Sequence, residues 1–324
     1  MENEIQVSVC CIAYNQASYI RKTLEGFVAQ ETDFRFEVLI HDDASTDGTA
    51  DIIREYAEKY PELIKPVLQT ENQYSKGVRI NPTFNYPRAK GRYFAFCEGD
   101  DYWCDSRKLQ KQYNALENNP QCALCVHQSR CIDAEGRPLR RHFPAIRIGE
   151  GVLPAEQYIH LELAVSPWLF QTSSYFLKRE VIDDWGEFES EYPVGDLPMV
   201  LMALQFGDCY FIAREMSCYR VDSGGAMSRI KRNNQAAIRH YEKMIQGSAQ
   251  FDRFTQFRYH EDFRQAIAFY QVQLYKLQGQ FARILEPEYH EVWGRLNWKN
   301  HLLIRFGCCF PQLAFRIFDK MRKR

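Results

Sequence analysis

The sequence carries almost no net charge, because its 41 Lys and Arg residues are offset by 42 Asp and Glu residues. A global basic field is therefore missing, which argues against nucleic acid as a partner. Two glycine motifs are missing as well. No Gly-x-Gly-x-x-Gly follows the first predicted strand, and no Gly-Lys-Ser or Gly-Lys-Thr occurs. Dinucleotide oxidoreductases and P-loop nucleotidases are therefore disfavoured.

Long hydrophobic runs are also lacking, and we expect no targeting segment at the N-terminus. No apolar run reaches the length of about 18 residues that suggests a membrane-spanning helix, and the chain begins with the polar, acidic segment Met1–Glu4. The 11 Cys residues are an odd number, and no second Cys-x-x-Cys pair joins Cys122 and Cys125 to complete a zinc site. We therefore expect free thiols and a cytoplasmic protein.

The N-terminal part of the chain alternates between strand and helix patterns. Val7–Ala13 is a near-continuous apolar run, as in a buried parallel strand. A helix is predicted from Tyr19 to Gln30 with Ser18 as its N-cap, and Phe36–Ile40 forms the next strand before a second helix. This order predicts an α/β fold, with a Rossmann-like, mostly parallel sheet flanked by helices.

An adjacent pair of carboxylates follows the aromatic strand within Gly91–Phe96. Asp100 and Asp101 repel each other unless a cation lies beside them, and Mg²⁺ and Mn²⁺ favour oxygen ligands. The structural alternative is a solvated turn in which the aspartates bend the chain. The pair is therefore a candidate metal site.

Three polar loops should meet at one edge of the sheet, where open α/β sheets bind their ligands. These loops contain Tyr14–Asn15, Asp42–Asp43 and Asp100–Asp101. An aspartate at a strand end can accept a hydrogen bond from a base N–H, which suits uracil or a similar ring. The alternative for Asp42–Asp43 is a turn before a helix, and both interpretations hold for different members of that segment.

Two further sets of charged residues have open interpretations. The loop cations Lys76, Arg79 and Arg88 suit a diphosphate beside a metal, although such cations are commonly only solvated. Asp196 precedes an apolar helix, where a carboxylate acts either as a cap or as a rigid group facing an acceptor hydroxyl. The Gly-rich segment Tyr219–Ser228 is a candidate lid.

Taken together, these segments resemble family-2 glycosyltransferases of the GT-A fold, and most of all the bacterial members that build surface polysaccharides. The resemblance covers about residues 5–228 and rests on four segments in this order: Val7–Asn15, Asp42–Thr49, Glu98–Trp103 and Gly195–Asp196. It implies inverting, hexosyltransferase-like transfer from a nucleotide-diphosphate sugar, with a UDP-sugar favoured. The acceptor would be a hydroxyl of a glycan or of a polyprenyl-linked sugar.

The resemblance also implies roles for individual residues. Asp43 would bind the nucleotide base in a pocket lined by Tyr14 and Asn15. Asp101 would be the direct ligand of Mn²⁺ or Mg²⁺, with Asp100 beside it in the donor site.

Two more carboxylates gain roles from the same resemblance. Asp196 matches the catalytic base. Asp222 stands where the Tyr-Arg-x-His-x-Gly-Gly loop of similar enzymes has a His. A carboxylate still suits a hard metal, so Asp222 is a candidate second ligand.

We expect a catalytic domain over residues 1–230 and a helical region over residues 231–324. The final stretch, His301–Arg324, combines apolar and basic residues, which suits an amphipathic helix on an anionic membrane. The alternative is a helix packed on the catalytic domain with a solvated basic tail. Peripheral contact with the inner face of the plasma membrane is thus one expectation for this cytoplasmic chain.

Two other functions fit part of the pattern. A nucleotidylyltransferase also uses a nucleotide crevice and acidic metal ligands, but it attacks a phosphate and releases pyrophosphate. An inactive carbohydrate-binding relative would keep the aromatic residues and tolerate the loss of Asp196. The joint presence of Asp43, Asp100, Asp101 and Asp196 argues against inactivity.

Overall fold

The computed structural model describes residues 4–184 and 190–322. The chain divides into two compact units. The first comprises Met1–Tyr158, Trp168–Glu187 and Met199–Val221, and the second Ile159–Pro167, Phe188–Pro198 and Asp222–Arg324. The domain boundary expected at residue 230 stays a prediction.

The first unit contains one sheet of ten strands. The strands are β1 (Ile5–Ala13), β2 (Arg35–Asp42), β3 (Ile64–Leu68), β4 (Tyr93–Phe96), β5 (Tyr102–Trp103), β6 (Cys122–Ile132), β7 (Pro138–Phe143), β8 (Gly151–Leu153), β9 (Phe176–Lys178) and β10 (Asp208–Arg220). Their order is β3-β2-β1-β4-β9-β6-β10-β5, with β7 beside β6 and β8 beside β10.

The sheet has a parallel half and a mixed half. Strands β3, β2, β1 and β4 are parallel neighbours, as the βαβ pattern predicts. Strand β9 then runs antiparallel to both β4 and β6, while β10 pairs parallel with β6 and antiparallel with β5. The α/β fold class is confirmed; the continuously parallel part of the sheet is β3-β2-β1-β4, and the rest mixes parallel and antiparallel pairs.

Twelve α-helices lie within the described residues. They are α1 (Ile20–Val28), α2 (Thr49–Lys59), α3 (Lys108–Asn118), α4 (Ala155–His160), α5 (Arg179–Asp183), α6 (Asp196–Phe206), α7 (Ala226–Arg232), α8 (Asn234–Phe254), α9 (His260–Gln278), α10 (His290–Arg295), α11 (Trp298–Cys309) and α12 (Pro311–Arg322). No helix within residues 4–184 and 190–322 is long and apolar enough to cross a membrane.

The core of the first unit forms where β1 meets α1. Val7, Val9 and Cys11 alternate along β1 and are fully buried in one cluster with Leu24 and Phe27 of α1. Full burial of a side chain of this size contributes about 1.5–3 kcal/mol. Ser8 and Cys10 on the other face are buried as well, so β1 is covered on both faces, as its near-continuous apolar run predicts.

The start of α1 differs from the sequence prediction. The helix begins at Ile20, and Tyr19 occupies the N-cap position without a side-chain capping hydrogen bond, so the predicted Ser18 cap is wrong. The backbone N–H groups of Tyr19 and Ile20 instead donate to the carbonyl oxygen of Gln16, each over 2.9 Å. A tight backbone turn thus replaces the expected hydroxyl cap.

The second unit has its own helical core. Asn233 caps α8 by accepting a hydrogen bond from the N–H of Ala236, and α9 ends at Gly279, whose φ of +69° favours glycine. Residues from α9 to α12 share one buried cluster, which includes Val272, Phe281, Ile284, Val292, Leu303, Ile304 and Ala314.

Candidate active site

Three loops meet at the carboxyl ends of the adjacent strands β2, β1 and β4. Beyond β4, the N–H of Cys97 donates to the carbonyl of Cys10, and the N–H of Gly99 donates to that of Ile12. On the other side of β1, the N–H of Asp43 donates to the carbonyl of Ala13. We call the loop after β4, which carries Asp100 and Asp101, the acidic loop. It and the Asp42–Asp43 segment therefore flank the end of β1, as the sheet pattern predicts.

Asp101 is held at this edge by contacts from two directions. Its side chain is buried, with the residue only 3% exposed, and Oδ1 accepts the backbone N–H of Arg220 over 2.8 Å. Its carbonyl oxygen lies 2.5 Å from the hydroxyl of Thr23 on α1, which is also 3.0 Å from the carbonyl of Gly99. The position of this carboxylate is thus set by α1 and β10 together.

The electrostatics at Asp101 favour a cation. Burial raises the pKa of its carboxyl well above the usual range, the neighbouring Asp100 raises it further, and the hydrogen bond from Arg220 opposes both. A divalent cation would reverse this unfavourable balance, and Mg²⁺ or Mn²⁺ needs only one or two protein carboxylates beside phosphates and water. Asp100 and Asp101 therefore fit such an ion. Among residues 4–184 and 190–322, no cluster of three or more His, Cys, Asp or Glu side chains has metal-holding geometry.

Arg220 organises the acidic loop from the end of β10. Its Nε donates to the carbonyl of Asp100 over 3.0 Å, and Nη1 donates to the carbonyls of Asp133 and Ala134 over 3.0 and 2.9 Å. The guanidinium also lies over the ring of Tyr19, 4.3 Å from its centroid. One side chain thus joins the acidic loop, the β6–β7 turn and the start of α1.

Asp43 is buried, being 1% exposed, and its carboxylate holds the loop that follows β3. Oδ1 accepts the backbone N–H of Gln73 over 2.8 Å, and Oδ2 accepts that of Tyr74 over 3.0 Å. The preceding Asp42 is also buried, and its Oδ1 has no hydrogen-bond partner among the residues that the structure describes. This edge of the sheet therefore holds an unsatisfied buried acceptor beside a carboxylate that positions a loop.

Asn15 joins the loop after β1 to the loop after β2. Its φ of +52° is in the left-handed region, which Asn tolerates better than most residues. Its N–H donates to Oγ of Ser45, and its Oδ1 accepts the N–H of Thr46, both over 2.8 Å. Next to it, the N–H of Ala17 donates over 2.9 Å to the carboxylate of Asp47. Asn15 therefore fixes the loop after β1 to the loop after β2, and its place in a base pocket stays a prediction.

Tyr14 and Lys76 are more exposed than the aspartates. Tyr14 is 38% exposed at the end of β1, next to Asn15. Lys76 lies in the loop that Asp43 holds, and its ammonium pairs with Glu71. Both side chains are thus at the surface of the first unit near the predicted base pocket, where their binding roles stay predictions.

A cleft of about 470 Å³ lies beside the acidic loop. It is lined by Ser18, Tyr19, Lys22, Ala134, Glu135, Gly136 and Arg220. Lys22 also lies over the ring of Tyr102, 4.4 Å from its centroid. The lining is predominantly polar and includes two cations, Lys22 and Arg220, and one carboxylate, Glu135.

Asp196 and Asp222 belong to the second unit and are described within it. Asp196 is the first residue of α6, and its Oδ1 accepts the N–H of Leu197 over 2.9 Å. Asp222 is exposed, has a φ of +58°, and lies 3.2 Å from Nζ of Lys231. The base and ligand roles of these two residues stay predictions.

Sequence reasoning missed some residues that shape the site and gave others a different role. Thr23 and the side chain of Arg220 were not assigned any role, because their partners lie far away along the chain. Arg88, for which a diphosphate contact and a solvated position were both open, donates to the carbonyls of Ile40 and Lys65 and to Oδ1 of Asn85. The sequence does offer one local signal of close packing at this site, which is the Gly beside the paired aspartates. In the structure, a Cβ at Gly99 would lie 2.3 Å from Oε1 of Gln16.

Relatives of known sequence match part of the chain. An uncharacterized protein of Mycobacterium tuberculosis is 48% identical over 130 residues, which are 40% of this chain and 37% of that protein. The Escherichia coli UDP-Glc:alpha-D-GlcNAc-diphosphoundecaprenol beta-1,3-glucosyltransferase WfaP is 37% identical over 111 residues, 34% of this chain and 41% of WfaP. The matched segments thus span less than half the length of these two relatives.

Solved structures extend the similarity of fold to nearly the whole chain. S. aureus TarS 1–349 in complex with UDP-GlcNAc gives a TM-score of 0.61 at 18% identity, covering 98% of this chain and 91% of that one. The mannosyltransferase PcManGT from Pyrobaculum calidifontis, with GDP-Man and Mn²⁺, gives 0.55 at 18% identity, covering 98% and 84%. These likenesses show the GT-A fold.

The family assignment follows from the sequence model of one family. The model described as "Glycosyl transferase family 2" matches residues 8–184, which is more than half of the chain. This range contains β1, β2 and β4 and the loops that carry Asp43, Asp100 and Asp101. The chain therefore belongs to glycosyl transferase family 2.

Proposed function

We propose that the chain is a metal-assisted, inverting glycosyltransferase of bacterial surface polysaccharide synthesis. It would move a sugar from a nucleotide-diphosphate sugar, with a UDP-sugar favoured, to a hydroxyl of a glycan or polyprenyl-linked acceptor. The observation that carries the proposal is the buried Asp101 carboxylate, held by Arg220 beside Asp100 at the end of β4. The printed names of WfaP and of the TarS complex, which include UDP-Glc, a diphosphoundecaprenol acceptor and UDP-GlcNAc, support the choice of substrates.

Asp101 and Asp100 would hold the divalent cation, and Asp222 is the further candidate ligand. The cation, when bound, neutralises the charge that develops on the leaving diphosphate. The name of the PcManGT complex includes Mn²⁺, which supports this ion as one candidate.

The donor's nucleotide would bind at the neighbouring strand ends. The carboxylate of Asp43 is a hydrogen-bond acceptor at the end of β2, and Asn15 and the exposed ring of Tyr14 border the same edge of the sheet. A base N–H would replace or share one of the loop donors that Asp43 now accepts. Lys76 lies in the loop that Asp43 holds, where an ammonium would favour the diphosphate.

The transfer itself needs one base. In the proposed step the acceptor hydroxyl gives its proton to the carboxylate of Asp196, and its oxygen bonds to the anomeric carbon. The bond between that carbon and the diphosphate oxygen breaks, and the nucleoside diphosphate leaves with the electron pair. Attack from the opposite face inverts the anomeric configuration, with no covalent enzyme intermediate.

The first test measures binding to the donor site. UDP, GDP, dTDP and CDP are each added with Mn²⁺ or with EDTA, and the thermal unfolding midpoint is recorded. We expect one nucleotide, UDP by preference, to raise the midpoint only with Mn²⁺, and Asp101→Asn to remove this response. Asp51→Asn, which changes an exposed aspartate of α2, is the matched control. If none of the four nucleotides raises the thermal unfolding midpoint in a metal-dependent way, the proposal is contradicted and the inactive carbohydrate-binding relative is favoured.

The second test separates sugar transfer from its rival chemistry. With a nucleotide sugar and a polyprenyl-diphosphate sugar as acceptor, a glycosyltransferase releases nucleoside diphosphate, whereas a nucleotidylyltransferase exchanges pyrophosphate. Asp196→Asn should keep the nucleotide response and lower the transfer rate by about 10²–10⁴-fold, the usual contribution of a general base. Unchanged transfer in this variant would remove Asp196 from the mechanism.

A further inference from the structure

Seven exposed apolar side chains follow one another along the last two helices. In α11 they are Trp298, Leu302 and Phe306, the connecting residue is Phe310, and in α12 they are Leu313, Ile317 and Met321. Their exposed fractions run from 37% at Phe306 to 68% at Trp298. The spacing of four residues places each set on one side of its helix, within roughly 80° of arc. We call these seven residues the apolar stripe.

Buried residues of the same two helices hold the apolar stripe in place. Leu303 and Ile304 of α11 and Ala314 of α12 lie in the buried core of the second unit. The backbone of Gly307 packs so closely on Phe281 that a Cβ there would lie 2.4 Å from the ring. Both helices are therefore anchored in the core of the second unit, and the stripe residues are exposed in the folded unit.

The sequence segment that carries the apolar stripe is rich in basic residues. From residue 297 to the end, the sequence contains one acidic residue, Asp319, against seven basic ones: Lys299, Arg305, Arg316, Lys320, Arg322, Lys323 and Arg324. Asp319 lies 3.5 Å from Arg322 and is neutralised by it. Arg316 and Lys320 are each three residues after a stripe residue of α12, so they border the stripe along one side.

We propose that the apolar stripe and its flanking cations seat this chain on the surface of an anionic lipid bilayer. Apolar side chains along the side of a helix, a Trp among them, bury into the boundary between headgroups and acyl chains. Lys and Arg side chains beside them are attracted by acidic headgroups, and each of these cations adds to the favourable binding free energy.

A second copy of the chain fits this surface less well. Two copies facing each other through the apolar stripe would bring both sets of cations together, and like charges across an interface disfavour association. An anionic bilayer is complementary both to the exposed apolar side chains and to the cations beside them. The inference rests on the second unit alone and does not depend on sugar transfer.

The test measures binding of the full chain to vesicles without any nucleotide. Phosphatidylcholine vesicles, with and without phosphatidylglycerol, are mixed with the protein and separated by flotation. We expect binding to the anionic vesicles only, weakened by salt. Leu313→Ser combined with Ile317→Ser should abolish it, and Arg316→Gln combined with Lys320→Gln should lower the affinity by roughly tenfold or more.

Two matched controls separate the surface from general effects. Leu139→Ser removes an exposed leucine from β7, and Arg54→Gln with Lys59→Gln removes two cations from α2; binding should be unchanged in both. Thermal unfolding of each variant shows that the fold is retained. Absence of vesicle binding, or equal binding to both vesicle types, would overturn the proposal. Concentration-dependent dimerisation that Leu313→Ser and Ile317→Ser remove, without vesicle binding, would assign the surface to a second copy instead.

Discussion

The backbone N–H of Arg220 lies 2.8 Å from Oδ1 of Asp101, while the guanidinium of the same residue holds the carbonyl of Asp100. The end of β10 therefore contacts both members of the acidic pair, which lie 119 and 120 positions away along the chain. A residue that fixes two adjacent carboxylates determines where a shared cation would bind.

Replacing Arg220 by Met should loosen the acidic loop. The variant keeps the backbone hydrogen bond to Asp101 but loses three hydrogen bonds from a buried guanidinium to carbonyl oxygens, so we expect a loss of about 2–4 kcal/mol of unfolding free energy. Urea unfolding measures this change. Arg130→Met, which breaks an exposed ion pair with Glu215, should cost less than about 1 kcal/mol. Equal losses in the two variants would show that Arg220 has no special structural role.

Asp101→Asn should stabilise the metal-free protein at neutral pH. Because burial raises the pKa of the folded carboxyl above its unfolded value, the folded state binds more protons, and stability falls as pH rises between the two values. Asn removes this charge and keeps an oxygen for the N–H of Arg220. We expect a gain on the order of 1–2 kcal/mol at pH 8 in EDTA, and a smaller gain at pH 5. Urea unfolding at both pH values is the measurement, and a loss of stability at pH 8 would contradict the burial argument.

Lys108 should give the unfolding free energy a second pH dependence. Its ammonium is buried, donates to Oε1 of Gln112 over 2.6 Å and lies 4.1 Å from the centroid of Trp103. Burial lowers the pKa of Lys108 to about 7, although Cys97 and Cys125 oppose this. The unfolded state therefore binds more protons above pH 7, so stability should rise with pH by up to about 1.4 kcal/mol per unit.

The measurement compares the wild-type protein with Lys108→Met between pH 7 and 8.5. At each pH, the unfolding free energy of Lys108→Met is subtracted from that of the wild-type protein. This cancels the contribution of the titratable groups that both proteins share, and the difference should rise with pH. Lys111→Met removes a lysine from the same helix at a less buried position and is the matched control. A difference that does not vary with pH would show that Lys108 is charged in the folded protein over this range.

Substitution by Ala at two helical glycines should change the stability of the protein in opposite directions. A Cβ at Gly26 in α1 would lie 2.9 Å from the carbonyl oxygen of Trp103, and backbone there cannot move aside cheaply. Gly26→Ala should therefore cost about 1–3 kcal/mol in spite of the higher helix propensity of Ala. A Cβ at Gly294 in α10 would meet no atom within 4 Å, so Gly294→Ala should add about 0.5–1 kcal/mol. Thermal unfolding of both variants checks the pair, and the same sign in both would contradict the packing argument.

The strands at the N-terminal half were predictable because their signal is local. The apolar run ending at Ala13 and the Asp residues after β2 and β4 identify strand ends directly in the sequence. Strand β9 was harder to place, because a three-residue strand between β4 and β6 carries little pattern of its own. The parallel half of the sheet and its polar edge could therefore be derived, whereas the pairing of the strands in the mixed half could not.

The candidate site shows the same division between local and distant contacts. Asp43, Asp100 and Asp101 follow predicted strands and meet at one edge, as expected. The contacts from Thr23 and Arg220 depend on tertiary packing across 78 and 119 positions, for which a single sequence offers no signal. The Ser18 cap failed for a related reason, because the carbonyl of Gln16 supplies the turn and no side-chain pattern reports it.

The hydrogen bonds of Asn15 also bear on how this site can be re-engineered or diversified. The segment 15–17 and the segment 45–49 are joined by bonds from Asn15 to Ser45 and Thr46, from Gln16 to Thr49 and from Ala17 to Asp47. A loop exchanged alone between related enzymes would leave half of these partners behind. The two segments therefore form one structural module, and a chimera that preserves these hydrogen bonds has to inherit both segments from the same parent.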